Sequence, residues 1–284
     1  MKLIRLLLFF NVSLSLCNAQ SYNPETFSQL KFRFIGPDGN RAISVVGEPG
    51  NPNVSYLGAA SGGIWKTEDR GVNWKPVFDE TDDSSIGALA IAPSSPKQVW
   101  AGTGETFLIR PAHAVGNGVY KSSDAGKTWK KMGLESSFRI SRILVHPTDT
   151  NTVYVGVLGH THGPQQEKGV YKTTDGGRTW NRLLFINEST GVSDMAINPK
   201  NPNIVYAAMW QAEIKTWNLN SGGPGSGIYR SKDGGKTWEP LRNGLESGPG
   251  HPVGKSSVDV AFSNPNVLYA LIEDKEPRLY RSSN

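Results

Sequence analysis

Two glutamates, a pair of histidines, two tryptophans set among turn formers and four evenly spaced aspartates are the residues of this 284-residue chain best equipped for chemistry. Glu105 and Glu213 are carboxylates of the kind that act as general acid and base, or as hydrogen-bond acceptors. Trp210 and Trp217 offer flat apolar rings that stack on sugars or cap a peptide, or else staple their own loop. His160 and His162 resemble a metal pair, but two ligands without a third do not make a site, so they read as surface histidines. No metal and no cofactor is expected.

These residues fall on three long connections. Residues 102–118 carry Glu105, Arg110 and His113, and residues 156–169 carry His160 and His162. A third connection carries Trp210, Glu213, Trp217 and Gly222-Gly223-Pro224-Gly225. Long ordered loops tend to bear function, so Glu105, Arg110, His113, His160, His162, Trp210 and Trp217 form the candidate ligand-binding set.

The aspartates lead to the elements that must position these loops. W-K-T-E-D-R-G-V-N-W from Trp65 recurs as Y-K-S-S-D-A-G-K-T-W from Tyr120, Y-K-T-T-D-G-G-R-T-W from Tyr171 and Y-R-S-K-D-G-G-K-T-W from Tyr229. Asp69, Asp124, Asp175 and Asp233 are separated by 55, 51 and 58 residues, and Trp74, Trp129, Trp180 and Trp238 close the four copies. Each unit also contains apolar strand, Pro-containing turn, apolar strand, as in Ala88-Leu89-Ala90-Ile91-Ala92-Pro93 followed by Val99-Trp100-Ala101-Gly102. Four strands per unit of about fifty residues predict an all-β fold, a β-propeller of four-stranded antiparallel blades.

The expected blades are 41–80, 84–134, 138–187, 191–243 and 255–284, four complete and a truncated fifth that opens as Tyr-Arg-Ser-Ser-Asn. The chain therefore reads as an amino-terminal fragment whose partner is the remaining blades of a longer polypeptide. Residues 1–19, with Lys2, Arg5 and an apolar run ending near Ala19, read as a signal peptide, and 20–40 as a segment whose residues 29–35 supply a closing strand. The protein is accordingly expected to be secreted or periplasmic.

Composition narrows the function. Of 30 basic and 25 acidic residues, two basic ones leave with the signal segment, so +5 becomes +3, too mild for a nucleic-acid partner. No later stretch is long and apolar enough for membrane insertion. The single cysteine, Cys17, lies in the signal segment, so disulfides and cysteine nucleophiles are not expected in the mature chain.

An Asp in a hairpin accepts backbone N–H bonds, a Gly supplies positive φ and a Trp fills space between sheets, so the four boxes read as architecture. The polar residues Arg41, Arg139 or Arg142, Asp194 and Asp259 are expected on inner strands, where charges need partners, as an arginine-aspartate network around the axis or as a ligand anchor.

The repeated S/T-x-D-x-G-x-T-W, with F-R-F-I-G-P from Phe32, A-A-S-G-G-I-W-K-T from Ala59 and T-G-E from Thr103, resembles large exported bacterial proteins with a sortilin-like BNR/Asp-box propeller. Such proteins are often labelled glycosyl hydrolases. The resemblance implies either a binding or scaffold module for a peptide or glycan, or a sialidase- or xyloglucanase-like hydrolase. Against the xyloglucanase pattern, Ala60 stands where a catalytic carboxylate precedes the paired glycines, here Gly62 and Gly63. Against the sialidase pattern, Arg33 sits in an altered motif and reads as strand decoration.

Overall fold

The computed structural model describes residues 41–108, 114–245 and 252–283. The signal segment, the closing strand, Arg110 and His113 lie outside the described residues.

Five antiparallel sheets follow one another along the chain. The first contains β1 (Ala42–Gly47), β2 (Ser55–Ala59), β3 (Ile64–Thr67) and β4 (Lys75–Pro76). The second contains β5 (Ile86–Ile91), β6 (Val99–Thr103), β7 (Val119–Ser122) and β8 (Lys130–Lys131), and the third β9 (Ile140–Val145), β10 (Val153–Val157), β11 (Gly169–Thr173) and β12 (Asn181–Leu184). The fourth is built from β13 (Thr190–Ile197), β14 (Val205–Lys215), β16 (Gly227–Ser231) and β17 (Glu239–Leu241), with β15 (Asn218–Ser221) paired to the far end of β14. The fifth contains β18 (Ser256–Val260), β19 (Leu268–Ile272) and β20 (Arg278–Ser282). A single 3-10 turn, Glu135–Ser137, is the one helical element among the described residues.

β6 and β10 are buried along their whole length because their sheets lie between two neighbours, whereas β18 and β19 are buried at alternate residues only. In β10, Val153, Val155 and Val157 point into the core shared with the second sheet, while Tyr154 points into the core shared with the fourth. Successive first strands lie side by side, β1 against β5, β5 against β9, β9 against β13 and β13 against β18.

Gly58, Gly102 and Gly156 occupy equivalent places in β2, β6 and β10, and a Cβ there would come within 2.4, 2.4 and 2.7 Å of Ile86, Ile140 and Val192 of the following sheet. Only a residue without a side chain lets the next first strand approach so closely.

The fourth unit differs from the expectation. Residues through Lys215 continue β14, and Asn218–Ser221 fold back on it as β15. The stretch read as a loop is therefore a hairpin, because Ala212, Ile214 and Trp210 have an apolar surface to pack against, and apolar burial extends the strand.

Candidate functional site

The antiparallel register gives each sheet two unlike ends. Ala42 pairs with Ala59 and Gly58 with Ile64, so the second-to-third-strand connections and the starts of the first strands share one end. The Asp-box hairpins and the Pro-containing turns share the other.

At the box end the same contacts recur. Asp69, Asp124, Asp175 and Asp233 accept the backbone N–H groups of Asn73, Thr128, Thr179 and Thr237 at 2.8, 2.9, 3.0 and 2.9 Å. Their second oxygens accept the side chains of the same residues at 2.6–2.7 Å. Led by the threonine hydroxyl bonds, these contacts hold Asp124 and Asp233 down at about 2 and Asp175 lower still, and the Asn73 bonds lower Asp69 likewise.

The residue after each aspartate is left-handed, with φ of 63° at Arg70, 62° at Ala125, 75° at Gly176 and 72° at Gly234. Its N–H donates to a carbonyl in the Pro-containing turn of the same sheet, from Arg70 to Asn53, Ala125 to Lys97, Gly176 to Asn151 and Gly234 to Asn203.

The box tryptophans contact different partners. Trp129 donates its indole N–H to the Val77 carbonyl and Trp180 to the Met132 carbonyl, each in the preceding sheet, at 2.7 Å. Trp74 and Trp238 donate to Gly71 and Gly235 in their own hairpins. A further staple escaped sequence reading. Tyr56 and Tyr154 donate their hydroxyls to Ala125 and Gly234 in the next sheet's box, with Lys66 and Lys172 set over their rings. Burial pushes the Tyr154 phenol up to about 12, helped by Asp233. The aromatic-basic dipeptide that aligns the repeats was the available signal for the lysines.

At the opposite end the three long connections converge on one small apolar core made of Leu108, Leu158, Trp210, Ala212 and Ile214. The Ile214 N–H donates to the Thr161 carbonyl at 2.7 Å, tying the hairpin to the neighbouring loop. Charges are buried around this core. Glu105 is 1 % exposed and accepts a charge-assisted hydrogen bond from Arg41, 64 residues away. Arg139, also buried, donates to the Glu105 carbonyl at 3.0 Å.

Lys168 is 1 % exposed, and burial, with Arg139 nearby, brings its ammonium down to about 8. Gln165 donates to the Ser136 carbonyl and accepts the His160 N–H. The His160 ring lies edge-on to Phe138, and its burial, then the charge of Lys168, lowers its pKa.

The sequence-predicted residues divide as follows. Trp210 is 3 % exposed, with its indole N–H on Ser221 Oγ at 3.0 Å, so it presents no open ring face. Trp217, next to the β14–β15 turn, is 83 % exposed. Glu213 accepts from Asn220 and pairs with Lys215 on the hairpin. Among the described residues no cluster of three His, Cys, Asp or Glu side chains is placed to hold a metal ion.

The inner-strand charges pair as Arg41 with Glu105 and Arg142 with Asp194, the latter at 3.4 Å. Burial raises the Asp194 pKa against the opposing pull of Arg142. Asp259 accepts the Val260 N–H instead.

A cavity of about 410 Å3 opens beside the small core, lined by Arg41, Ala42, Ile43, Thr106, Phe107 and Lys255. Phe107 and Lys255 were absent from the sequence reading, since neither belongs to a repeated motif.

Four successive antiparallel sheets with a four-stranded path, each carrying an Asp-box hairpin, and a three-stranded fifth, all packed first strand to first strand, define a β-propeller of the Asp-box class. The Sortilin-Vps10 family model, described as "Sortilin, neurotensin receptor 3", matches residues 117–259, half of the chain, and the protein belongs to that family.

A xyloglucanase of Hypocrea jecorina is 24% identical over 247 residues, covering 76% of this chain and 27% of the relative. The chloroplastic photosystem II stability/assembly factor HCF136 of Cyanidioschyzon merolae is 25% identical over 202 residues, covering 67% of this chain and 42% of that protein. Among solved structures, an ancestral GH74 enzyme superposes with a TM-score of 0.64 at 22% identity, over 87% of this chain and 31% of the enzyme. The chain thus spans about a quarter of the length of the xyloglucanases it matches.

Proposed function

We propose that the protein is an extracytoplasmic binding or scaffold module that recognises a glycan or peptide through its long-loop face, with the Asp boxes acting as architecture. The observation that carries this reading is the convergence of the three non-repeating connections on one small core beside the cavity of about 410 Å3. A cavity of that size fits a small ligand or one ring of a polymer. Trp217 adds an exposed ring at the hairpin turn. Similarity to xyloglucanases and to an assembly factor is compatible with a ligand of either class.

The second reading, a glycoside hydrolase, is favoured by the xyloglucanase similarity alone. Hydrolysis by the common route needs two carboxylates flanking the bond. Glu105 is occupied by Arg41, Glu213 by Asn220 and Lys215, and buried Ala60 supplies no acid. The protein should be screened on a glycan array, on a peptide library and for turnover of xyloglucan. Binding that is lost in Trp217→Ala, without turnover, supports the module. Turnover abolished by Glu105→Gln overturns it in favour of the hydrolase.

A further inference from the structure

We propose that the cavity framed by Arg41, Phe107 and Lys255 takes the carboxylate of an acidic sugar, a uronic acid residue within a glycan. The inference rests on the reading of the long-loop face as a binding surface and names the chemistry of its ligand.

Lys255 is the central residue of this cavity. It immediately precedes β18, with its backbone N–H held by Glu273 Oε2 at 2.7 Å. The same oxygen accepts the Ser221 hydroxyl, whose own oxygen accepts the Trp210 indole N–H. The lysine ammonium lies 5.6 Å from the centre of the Trp210 ring, and the residue lines the cavity. Among the described residues its Nζ makes no hydrogen bond. Glu273 is engaged through Oε2 with a backbone amide and a hydroxyl, while Asp194 pairs with Arg142. Both lie near enough to bear on the lysine charge, yet burial still lowers its pKa.

The ammonium is partly desolvated and makes no hydrogen bond to the described residues, so a carboxylate entering the cavity gains a charge-assisted contact.

The rest of the lining selects the kind of anion. Two cations, one hydroxyl and an aromatic ring line the space, and no acidic residue does so among the described residues. Phe107, 50 % exposed, is an apolar wall for the C–H face of a sugar ring. The Thr106 hydroxyl is a donor and acceptor for ring hydroxyls. Arg41 keeps its bond to Glu105, so the guanidinium is oriented before a ligand arrives, and Lys255 is the adaptable contact.

Isothermal titration of the full chain with trigalacturonic acid, its methyl ester, cellotriose and a triglutamate peptide tests the proposal, in wild type, Lys255→Met, Lys255→Arg and Phe107→Ala. A melting curve for each variant certifies folding. Trigalacturonic acid is expected to bind. The methyl ester and Lys255→Met should each weaken binding roughly tenfold or more, Lys255→Arg should retain most of it, and added salt should reduce it.

Equal affinity for acid and ester, or full affinity in a folded Lys255→Met, overturns the proposal. Cellotriose binding without trigalacturonate binding also overturns it, while leaving the long-loop face as a binding surface. Triglutamate binding in place of trigalacturonate moves the ligand to the peptide class and overturns the sugar assignment. If none of the probes binds and the glycan and peptide screens are also blank, the broader reading falls with it.

Discussion

At the box end of the sheets, four hairpins repeat one set of hydrogen bonds, with the aspartate accepting its N–H at 2.8–3.0 Å in every copy. At the long-loop end, the three long connections carry no repeated motif. The box end combines contacts four residues apart with indole and phenol hydrogen bonds to a neighbouring sheet, each kind made in more than one unit. The other depends on pairs such as Arg41 with Glu105, separated by 64 residues, and on Lys168 buried next to Arg139. Short-range polar contacts made identically in each unit hold a sheet to its own turn. Buried charges confined to one place are the kind of costly feature that a fold keeps for a site.

That contrast can be broken most forcefully at the box tryptophans. Trp180→Ala removes an indole set against Trp100 and the Met132 carbonyl, and should cost about 3–5 kcal/mol of unfolding free energy in urea titrations. A loss below about 1 kcal/mol would show that the tryptophan is not holding the sheets together.

Next comes Lys168 at the other end. Its folded value of about 8 lies below the ordinary 10.5, so below pH 8 the ammonium is charged in both states and the burial cost is fully present. The unfolded chain binds more protons between about 8 and 10.5, so this group makes the protein more stable as pH rises through that window. Lys168→Met should therefore be more stable than wild type at pH 7, on the order of 2–3 kcal/mol, with the gap closing toward pH 10. A gap that is constant with pH would mean the lysine is well solvated.

Smaller effects are expected inside single boxes. Thr173 Oγ1 donates to Asp175 and accepts the N–H groups of Asp175 and Gly177, the latter at 2.9 Å. Thr173→Val leaves these unpaired and should cost about 1–3 kcal/mol, read from the same titrations. Ala125 holds a left-handed φ of 62° where the later boxes have glycine. Ala125→Gly should raise stability by roughly 0.5–1 kcal/mol, the relief of the left-handed strain less the added chain entropy. No change, or a loss, would mean the alanine Cβ makes a contact worth as much as the strain.

The same contrast explains what the sequence disclosed. Strands, turns and boxes were legible because each pattern occurs several times, and a feature repeated in register stands out from noise. The sequence named Arg142 and Asp194 among the inner-strand charges in need of partners, but not their pairing with each other. The long-loop end was legible only as a list of polar and aromatic residues. Nothing local tells that Trp210 turns inward against Leu108 and Leu158 while Trp217 is left in solvent. Lys255, Phe107 and the burial of Lys168 were missed for the same reason: each depends on segments far apart in the chain meeting once.

The most direct test of this division of labour is a paired measurement of melting temperature and ligand affinity on Asp175→Ala and Trp217→Ala, using the glycan or peptide that the array identifies. The account predicts that Asp175→Ala melts lower with affinity intact, and that Trp217→Ala keeps its melting temperature while binding is lost. Weakened binding in Asp175→Ala at an unchanged melting temperature, with Trp217→Ala binding normally, would contradict it.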